Sequence, residues 1–404
     1  MKMESGETLQ KAPGERLWTP YFTYICLANL FLFTSYQMLM PVLPLYVKNL
    51  GGSDVLAGVA VGIFYITAIG IRPWVGNQLD TKGRRKLLVV AFSLLVLVTL
   101  LYNLTFWLVI LVVLRMIHGL VYGIANTTSS TVVFDLVPIR RRGEGVGFYG
   151  LFLNLGVGLG PVIAFLMLQR FSFAALFYTA ALFAFLALLS VLPIRYPEER
   201  RQLDRSHMNI REMLYNQEAL GPSLVMMCMT VTIGGVVTFL PLYAMELGFS
   251  QIWLFFLVYA VVLTLSRPLG GVLFDRLGYR KIMPTALACS GLAMALLALT
   301  HQFGVILLAG FLFSFGYGVA HPALQTWCIN RADHARKGSA NGTFFAAFDL
   351  GICIGSILLG VVAHFTNYPM VFFLCLLSVL AGSVLYFMLV RQESAVKGKH
   401  GFRA

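Results

Sequence analysis

The sequence predicts an all-α polytopic membrane protein with twelve transmembrane helices in two pseudo-symmetric six-helix bundles. Three observations support this fold class: the composition, the position of the basic residues and an internal repeat. Of the 404 residues, 58% are hydrophobic and only 12% are charged. A soluble chain of this length could not bury so much apolar surface, because a folded globule needs polar groups on its outside.

Apolar runs such as 87–104 and 371–390 approach the ~20 residues that a helix needs to cross a bilayer. The polar stretch 195–218 divides the runs into two sets of six. We therefore expect an N-terminal bundle over 1–194, a cytoplasmic linker over 195–218 and a C-terminal bundle over 219–404. The predicted spans are 21–47, 55–78, 87–104, 107–133, 146–169, 173–193, 220–245, 252–274, 283–301, 303–329, 341–363 and 369–390.

The formal net charge of +13 is concentrated in alternate loops, near 82–86, 140–142, 195–211, 276–281 and 331–337, and in the tail after 391. The intervening loops hold only Lys48 and Arg170. This positive-inside asymmetry predicts a multi-pass protein of the cell (inner) membrane with both termini cytoplasmic. The basic balance therefore reflects topology, and we expect no nucleic-acid partner.

The two halves of the chain repeat at an offset of 195 residues. Arg72, Gly76, Asp80 and Lys86 recur as Arg267, Gly271, Asp275 and Lys281. The same offset relates Gly156 and Gly160 to Gly351 and Gly355. Two parallel-repeated bundles with a site between them are typical of a transporter.

The boundary sequence GNQLDTKGRRK at 76–86 recurs as GGVLFDRLGYRK at 270–281. Asp80 lies at the end of a predicted helix, near the negative end of the helix dipole, and needs compensation there. Gly76 lies one turn earlier, where a missing side chain lets another helix approach. The pattern predicts a docking point at which Asp80 meets a helix N-terminus or an arginine.

This loop resembles the signature G-x-L-a-D-r-x-G-r-r of the major facilitator superfamily, with Gln78 and Thr81 as departures, and the resemblance covers the whole chain. It implies transport by alternating access, with a conformational latch on the cytoplasmic side while the cavity faces outward. In that latch Asp80 would pair with Arg84 and the start of span eleven, and Asp135 would join them. The implied latch residues are Gly76, Asp80, Arg84, Asp135, Gly271, Asp275 and Arg280.

Three further segments resemble motifs of the twelve-span drug:proton antiporters. They are PVLP at 41–44, LVVLRMIHG at 111–119 and GVGLGP at 156–161. The last lacks the two final glycines of the family motif, and His118 stands where glutamine is usual. Gly156 and Gly160 would flatten one helix face, and Pro161 would free a carbonyl and allow a bend. The resemblance implies that Gly156, Gly160 and Pro161 act in antiport.

Ionisable residues inside a membrane are costly, and each is a candidate functional residue. The resemblance assigns proton transfer to Arg115. Asp349 is the only acid well inside an apolar span, and its repeat partner is the neutral Asn154. His321 should lie within ~3 Å of the same depth, and its imidazole could share a proton with the carboxyl. We expect Asp349 and His321 to bind the coupling proton, unless they only make structural hydrogen bonds. Arg72 and Arg267, repeated symmetrically, should be structural and snorkel toward the cytoplasm.

The resemblance also implies a central cavity lined by spans one, four, seven and ten. Aromatic and neutral polar groups in these and flanking spans suit a flat amphiphilic ligand, and Asp349 would attract a cation. The same aromatics could equally be helix packing. The candidate cavity residues are Asn29, Tyr36, Gln37, Tyr122, Asn126, Phe152, Thr230, Phe315, Tyr317, Phe345 and Phe348.

We therefore expect a proton-coupled secondary transporter that exports small amphiphilic compounds, a drug:H⁺ antiporter that works as a monomer in the lipid bilayer. It would not be an enzyme, because no ATP-binding or hydrolase motif occurs, and it would use no metal and no cofactor beyond the proton. One alternative is a more specific exporter of a metabolite, sugar or metallophore, or a proton symporter. Another is a non-transporting receptor, which would need a signalling domain that neither terminus nor the linker could hold.

Overall fold

The computed structural model describes residues 17–81, 84–138, 141–195, 216–332 and 337–400. Within these ranges the structure does not describe the side chains at 77, 80, 81, 142, 143, 271, 274, 275, 338 and 394–400. Of the predicted linker 195–218, residues 196–215 lie outside the described residues. The structure is helical throughout the described ranges, with no strand in them.

Twelve helices in the described part of the chain are long and apolar enough to cross a membrane, each at a predicted span. A short helix, Leu43–Asn49, continues the first of them. The twelve are α1 (Pro20–Leu39), α2 (Asp54–Thr81), α3 (Arg84–Leu101), α4 (Leu108–Leu136), α5 (Arg142–Arg170), α6 (Phe173–Val191), α7 (Leu220–Glu246), α8 (Trp253–Leu277), α9 (Tyr279–Leu299), α10 (Phe303–Arg331), α11 (Lys337–Phe365) and α12 (Tyr368–His400).

Local signals explain where several of these helices begin and end. Thr19 caps α1 by accepting a hydrogen bond from the Phe22 amide at 3.2 Å, and Pro20 occupies the first turn, where its missing N–H costs nothing. Gly51 and Gly248 have φ of 80° and 76° and turn the chain after the first span of each half. Such positive φ values favour glycine, which has no Cβ to clash with the backbone.

The helices pack with the symmetry that the sequence repeat predicts. In the first half, α1 contacts α5 and α6, α4 contacts α2 and α3, and α3 contacts α6. The second half repeats this set: α7 contacts α11 and α12, α10 contacts α8 and α9, and α9 contacts α12. The halves meet most extensively through two symmetry-related pairs, α2 with α11 and α5 with α8, and α7 also contacts α2 and the short helix Leu43–Asn49. A pseudo-twofold axis therefore relates both the bundles and their junctions.

Glycines bring the halves together at one end of these junctions. A Cβ added at Gly58 of α2 would overlap the Ser356 carbonyl of α11. A Cβ at Gly158 of α5 would lie 2.6 Å from the Cβ of Ala260 on α8. Small residues of this kind let helix backbones approach closely in a membrane. The two halves are therefore closed toward the ends at which α2 and α8 begin.

Toward the other end, where α2, α4, α8 and α10 end, which we call the basic face, the junction glycines have no close neighbour among the described residues. A Cβ at Gly76 of α2, Gly147 or Gly150 of α5, or Gly342 of α11 would meet no described atom within 4 Å. The close helix approach expected at Gly76 is therefore absent from the described part of this conformation. The described contacts between α2 and α11 extend from Gly58 to the Arg72–Asp349 pair and do not reach Gly76.

This geometry predicts that a cysteine at Gly342 reacts readily with a membrane-impermeant thiol reagent added at the basic face. The matched control keeps native Cys353, which is 4% exposed on the same helix, as the only cysteine. Both variants carry replacements of all other cysteines. We expect labelling of Gly342→Cys to be at least about tenfold faster, because thiol reactivity follows exposure. Labelling rates in vesicles of known orientation measure this, and equal rates would contradict an opening at the basic face.

Candidate functional site

An ion pair inside the membrane-spanning region joins the two halves. Nη2 of Arg72, on α2, lies 2.5 Å from Oδ2 of Asp349, on α11. Asp349 is 7% exposed, so its carboxylate is largely removed from water. Arg72 does not snorkel toward a membrane face as expected, because this carboxylate neutralises it within the bundle. The pair therefore supplies a polar contact at the α2–α11 junction.

The second junction contains the symmetry-related pair without the negative charge. Arg267 of α8 donates a hydrogen bond to Oδ1 of Asn154 on α5. Cζ of Arg267 also lies 5.8 Å from the ring centroid of Tyr317. Neither pairing was predicted, although a signal existed: Arg72 and Arg267 repeat at the same offset as Asn154 and Asp349. The difference between aspartate and asparagine is therefore a difference between two equivalent bridges.

Aromatic rings of the first half surround the ion pair. Tyr36 stacks on Phe64 and Tyr122, with ring centroids 4.9 and 4.7 Å apart. Its hydroxyl lies 2.5 Å from that of Tyr65. Tyr36, Tyr65 and Tyr122, which we call the tyrosine cluster, all interact electrostatically with Asp349. The hydroxyl groups of the cluster therefore lie within electrostatic range of the carboxylate, whose hydrogen-bond partner among the described residues is Arg72.

The structure does not join His321 to Asp349 by a hydrogen bond. Instead, the imidazole lies among aromatic rings, 5.6 Å from the Phe344 centroid and 5.7 Å from that of Phe348. The carboxylate of Asp349 points across the junction because a guanidinium attracts it more strongly than a neutral imidazole does. The expected proton sharing between these two residues is thus replaced by the bridge to Arg72.

Arg115 is fully buried and interacts with a backbone carbonyl. Its Nε donates to the Ala60 carbonyl of α2 at 2.7 Å, and its Cζ lies 4.5 Å from the Phe64 centroid. Nη1 donates to the Tyr102 hydroxyl at 3.4 Å, and this hydroxyl lies 3.0 Å from Nδ1 of His118. These contacts connect α4 to α2 inside the first half.

The candidate cavity residues fall into three groups. Tyr36, Tyr122 and Tyr317 are buried in aromatic contacts, and the six half-buried residues are Gln37, Asn126, Phe152, Phe315, Phe345 and Phe348. Asn29 and Thr230 belong instead to helix contacts within each half. Nδ2 of Asn29 donates to the Tyr149 carbonyl of α5 at 3.0 Å, and Thr230 packs against Gly351 of α11. The rotation of α1 and α7 about their own axes turns these polar groups toward α5 and α11.

The glycine–proline motif of α5 lies against α1. A Cβ at Gly156 would lie 2.6 Å from the Leu30 carbonyl oxygen, and one at Gly160 would lie 2.7 Å from the Cβ of Gln37. Pro161 lies inside α5 and is buried. Gly351 and Gly355 pack α11 against α7 in the same manner. The motif therefore fixes the spacing of α1 and α5, beside the half-buried Gln37.

The structure describes some of the residues of the predicted latch. Arg84 and Asp135 form an ion pair between α3 and α4. Arg280 is exposed at the start of α9. The predictions for Asp80, Gly271 and Asp275 fall outside the described side chains.

The second half contains an acidic contact that the sequence did not reveal. Glu393 of α12 accepts hydrogen bonds from Trp327 Nε1 at 3.0 Å and Arg331 Nη1 at 2.5 Å. The Tyr279 hydroxyl also donates to this carboxylate. The available signal was a lone acid just after the last apolar run.

The sequence of this chain is similar to those of known transport proteins. The family model described as Major Facilitator Superfamily matches residues 25–263 and 251–403. The staphylopine export protein of Staphylococcus aureus is 23% identical, over 93% of this chain and 97% of its own. Multidrug resistance protein MdtG of Citrobacter koseri is 27% identical over 87% and 89% of the two chains. Multidrug resistance protein 1 of Bacillus subtilis is 24% identical over 86% and 91%.

Solved structures share the fold at low sequence identity. A bacterial homologue of the human lysosomal transporter Spinster, inward-facing and occupied, has a TM-score of 0.78 at 13% identity, covering 94% of this chain and 98% of its own. A D-xylose–proton symporter has a TM-score of 0.74 at 18% identity, covering 91% and 97%. These similarities show a common arrangement of helices.

The Arg72–Asp349 pair predicts a measurable coupling. Asp349→Asn leaves an uncompensated arginine in the bundle, and we expect it to cost about 1–3 kcal/mol of stability, less than for a fully buried pair because Arg72 is partly exposed. The double variant with Arg72→Gln should lose less than the sum of the two single variants. Thermal unfolding of the purified protein measures this cycle. The exposed Arg141–Glu144 pair is the control and should show negligible coupling. Additive losses at Arg72 and Asp349 would contradict an energetic bridge.

Proposed function

Because the chain belongs to the Major Facilitator Superfamily, we propose that it is a proton-coupled exporter of small amphiphilic organic compounds. The chain is a multi-pass membrane transporter and not an enzyme. The observation that carries it is the Arg72–Asp349 ion pair, which places one protonatable carboxyl at a junction between the two halves.

Protonation of Asp349 gives a direct route from proton binding to movement. The ionised carboxylate attracts Arg72 and holds α2 against α11, whereas the neutral carboxyl loses this attraction. Its proton therefore biases the equilibrium between two arrangements of the halves, which is the requirement for coupling. We infer that the nearby tyrosine cluster, in which the hydroxyls of Tyr36 and Tyr65 are hydrogen-bonded, forms part of the path of the proton.

Alternating access then uses the two ends of the bundle. We assign the present conformation to the cytoplasm-facing state, with the basic face on the cytoplasmic side and both termini there, as the positive-inside rule predicts. In the opposite state Asp80 would join the Arg84–Asp135 pair, which is already formed here, and the completed latch would close the basic face. The glycine contacts around Gly58 and Gly158 would open in that state.

The side chains near the centre suit an amphiphilic substrate. Phe152, Phe315, Phe345 and Phe348 offer partly exposed aromatic faces, while Gln37 and Asn126 offer a few neutral polar groups. Such a mixture is typical of sites for small organic ligands. The names of the relatives, two multidrug resistance proteins and one export protein, support export. We propose a monomer that needs no cofactor other than the proton.

A second candidate function is export of a single dedicated compound. The similarity to the staphylopine export protein extends over 97% of that relative and favours this alternative. The two candidates share the proton-coupling step and differ in the range of substrates accepted.

The test uses proteoliposomes with a pH-sensitive dye inside and an imposed proton gradient. Lipophilic cations, neutral amphiphiles, sugars and organic acids are added one at a time. We expect amphiphiles to trigger proton flux in the wild type, and Asp349→Asn to reduce the flux to the level of protein-free liposomes. The control is Glu246→Gln, which removes an exposed acid at the end of α7 and should leave the flux unchanged.

Substrate counterflow without a gradient separates coupling from folding. Asp349→Asn should retain counterflow, because exchange does not require net proton movement. Full proton-driven transport by this variant would refute the coupling role of Asp349. A response confined to one compound would replace the broad exporter with the dedicated one.

A further inference from the structure

Positive charges outnumber negative ones in the middle of the described spans. Three arginines lie there, Arg72, Arg115 and Arg267, against the single carboxylate of Asp349. An uncompensated charge in this environment is costly and marks a functional position. Arg72 is neutralised by Asp349, and Arg115 is fully enclosed between a carbonyl, a hydroxyl and the Phe64 ring. Arg267 is therefore the arginine whose charge is both uncompensated and partly accessible.

The contacts of Arg267 leave it able to bind a ligand. Its acceptors among the described residues are uncharged, namely the amide oxygen of Asn154 and the hydroxyl of Tyr317, and its Nε has no partner among those residues. A guanidinium carries five N–H donors in a planar fork, so these two uncharged acceptors neither satisfy all of its donors nor neutralise its charge. Tyr317, whose ring lies beneath the guanidinium, also interacts electrostatically with Tyr65 of the first half. Arg267 is thus oriented toward the region between the halves.

The repeat argues against a purely structural role. At the equivalent bridge, the residue that faces Arg72 is an aspartate, which neutralises the arginine completely. If Arg267 served only to hold α8 against α5, a carboxylate at position 154 would be the stronger partner in this low-dielectric region. Asn154 accepts one hydrogen bond and leaves the positive charge open. Its own amide N–H groups add further donors at the same place.

We propose that Arg267, with Asn154, binds a carboxylate of the transported compound. The fork of a guanidinium matches a carboxylate in a bidentate arrangement, which neutral or cationic compounds cannot provide. The preferred substrates are therefore amphiphiles that carry a carboxylate, as anions or zwitterions. This inference rests on the proposed function and narrows its substrate class.

The test is a binding measurement on the purified full chain without a proton gradient. The probes are 1-naphthylacetate and 1-naphthylacetamide, which share an aromatic body and differ in charge. Equilibrium dialysis at neutral pH gives both affinities. We expect the wild type to prefer the carboxylate by about tenfold or more, since hydrogen bonds to a charged group contribute that much.

Substitutions at Asn154 and Arg267 test which residues produce the preference for the carboxylate. Asn154→Asp supplies the carboxylate from within the protein, and we expect it to abolish the preference while the melting temperature stays equal or rises. Arg267→Gln should abolish the preference as well, and Arg267→Lys should retain part of it through the remaining charge. Arg276→Gln, which removes an exposed arginine near the end of the same helix, is the control and should bind as the wild type does.

Each outcome of the binding experiment either supports or overturns carboxylate binding by Arg267. Carboxylate binding that is absent at millimolar concentration, or no stronger than amide binding, would overturn the proposal. A preference that survives in Asn154→Asp would overturn it too. If the preference is lost, a melting temperature equal to or above that of the wild type excludes misfolding as the cause. Because no gradient is present, failure here leaves proton-coupled export standing. Failure of the Asp349→Asn flux experiment likewise leaves this binding result valid.

Discussion

The arrangement of the two halves depends on how arginine charges are accommodated at their junctions. A membrane-spanning bundle cannot leave a guanidinium facing lipid, so each junction arginine must meet an acceptor from the opposite half. Arg72 meets Asp349 on α11, and Arg267 meets Asn154 on α5. These two bridges link helices of different bundles, and glycines let the same helices touch near the closed end.

The internal repeat contains two equivalent bridges, which differ chemically because Asp349 stands in one and Asn154 in the other. The aspartate bridge can lose its attraction when it takes up a proton, which suits a coupling role. The asparagine bridge cannot be protonated at physiological pH and leaves a positive charge uncompensated, which suits a role in recognition. Proton binding and substrate binding would then occupy symmetry-related positions, and each would act on its own junction.

The sequence was sufficient to predict the twelve helices, their order and the repeat, because hydropathy and residue spacing act along one dimension. It also identified Asp349 as unusual, since an acid in an apolar run is costly in any fold. The glycine motif of α5 and its counterparts were likewise legible, because small residues at helical spacing imply close helix contact.

Only the tertiary structure decided which residues meet. Sequence gives a residue's depth along a helix, through the rise of about 1.5 Å per residue, but neither the rotation of the helix nor its neighbour. His321 and Asp349 therefore looked like partners, whereas the rotation of α11 directs the carboxylate to Arg72. Asn29 and Thr230 lie on the expected helices but face neighbouring helices. Gly76 has no close neighbour among the described residues, because the packing of α2 on α11, which no local pattern encodes, places their described contacts farther from the basic face.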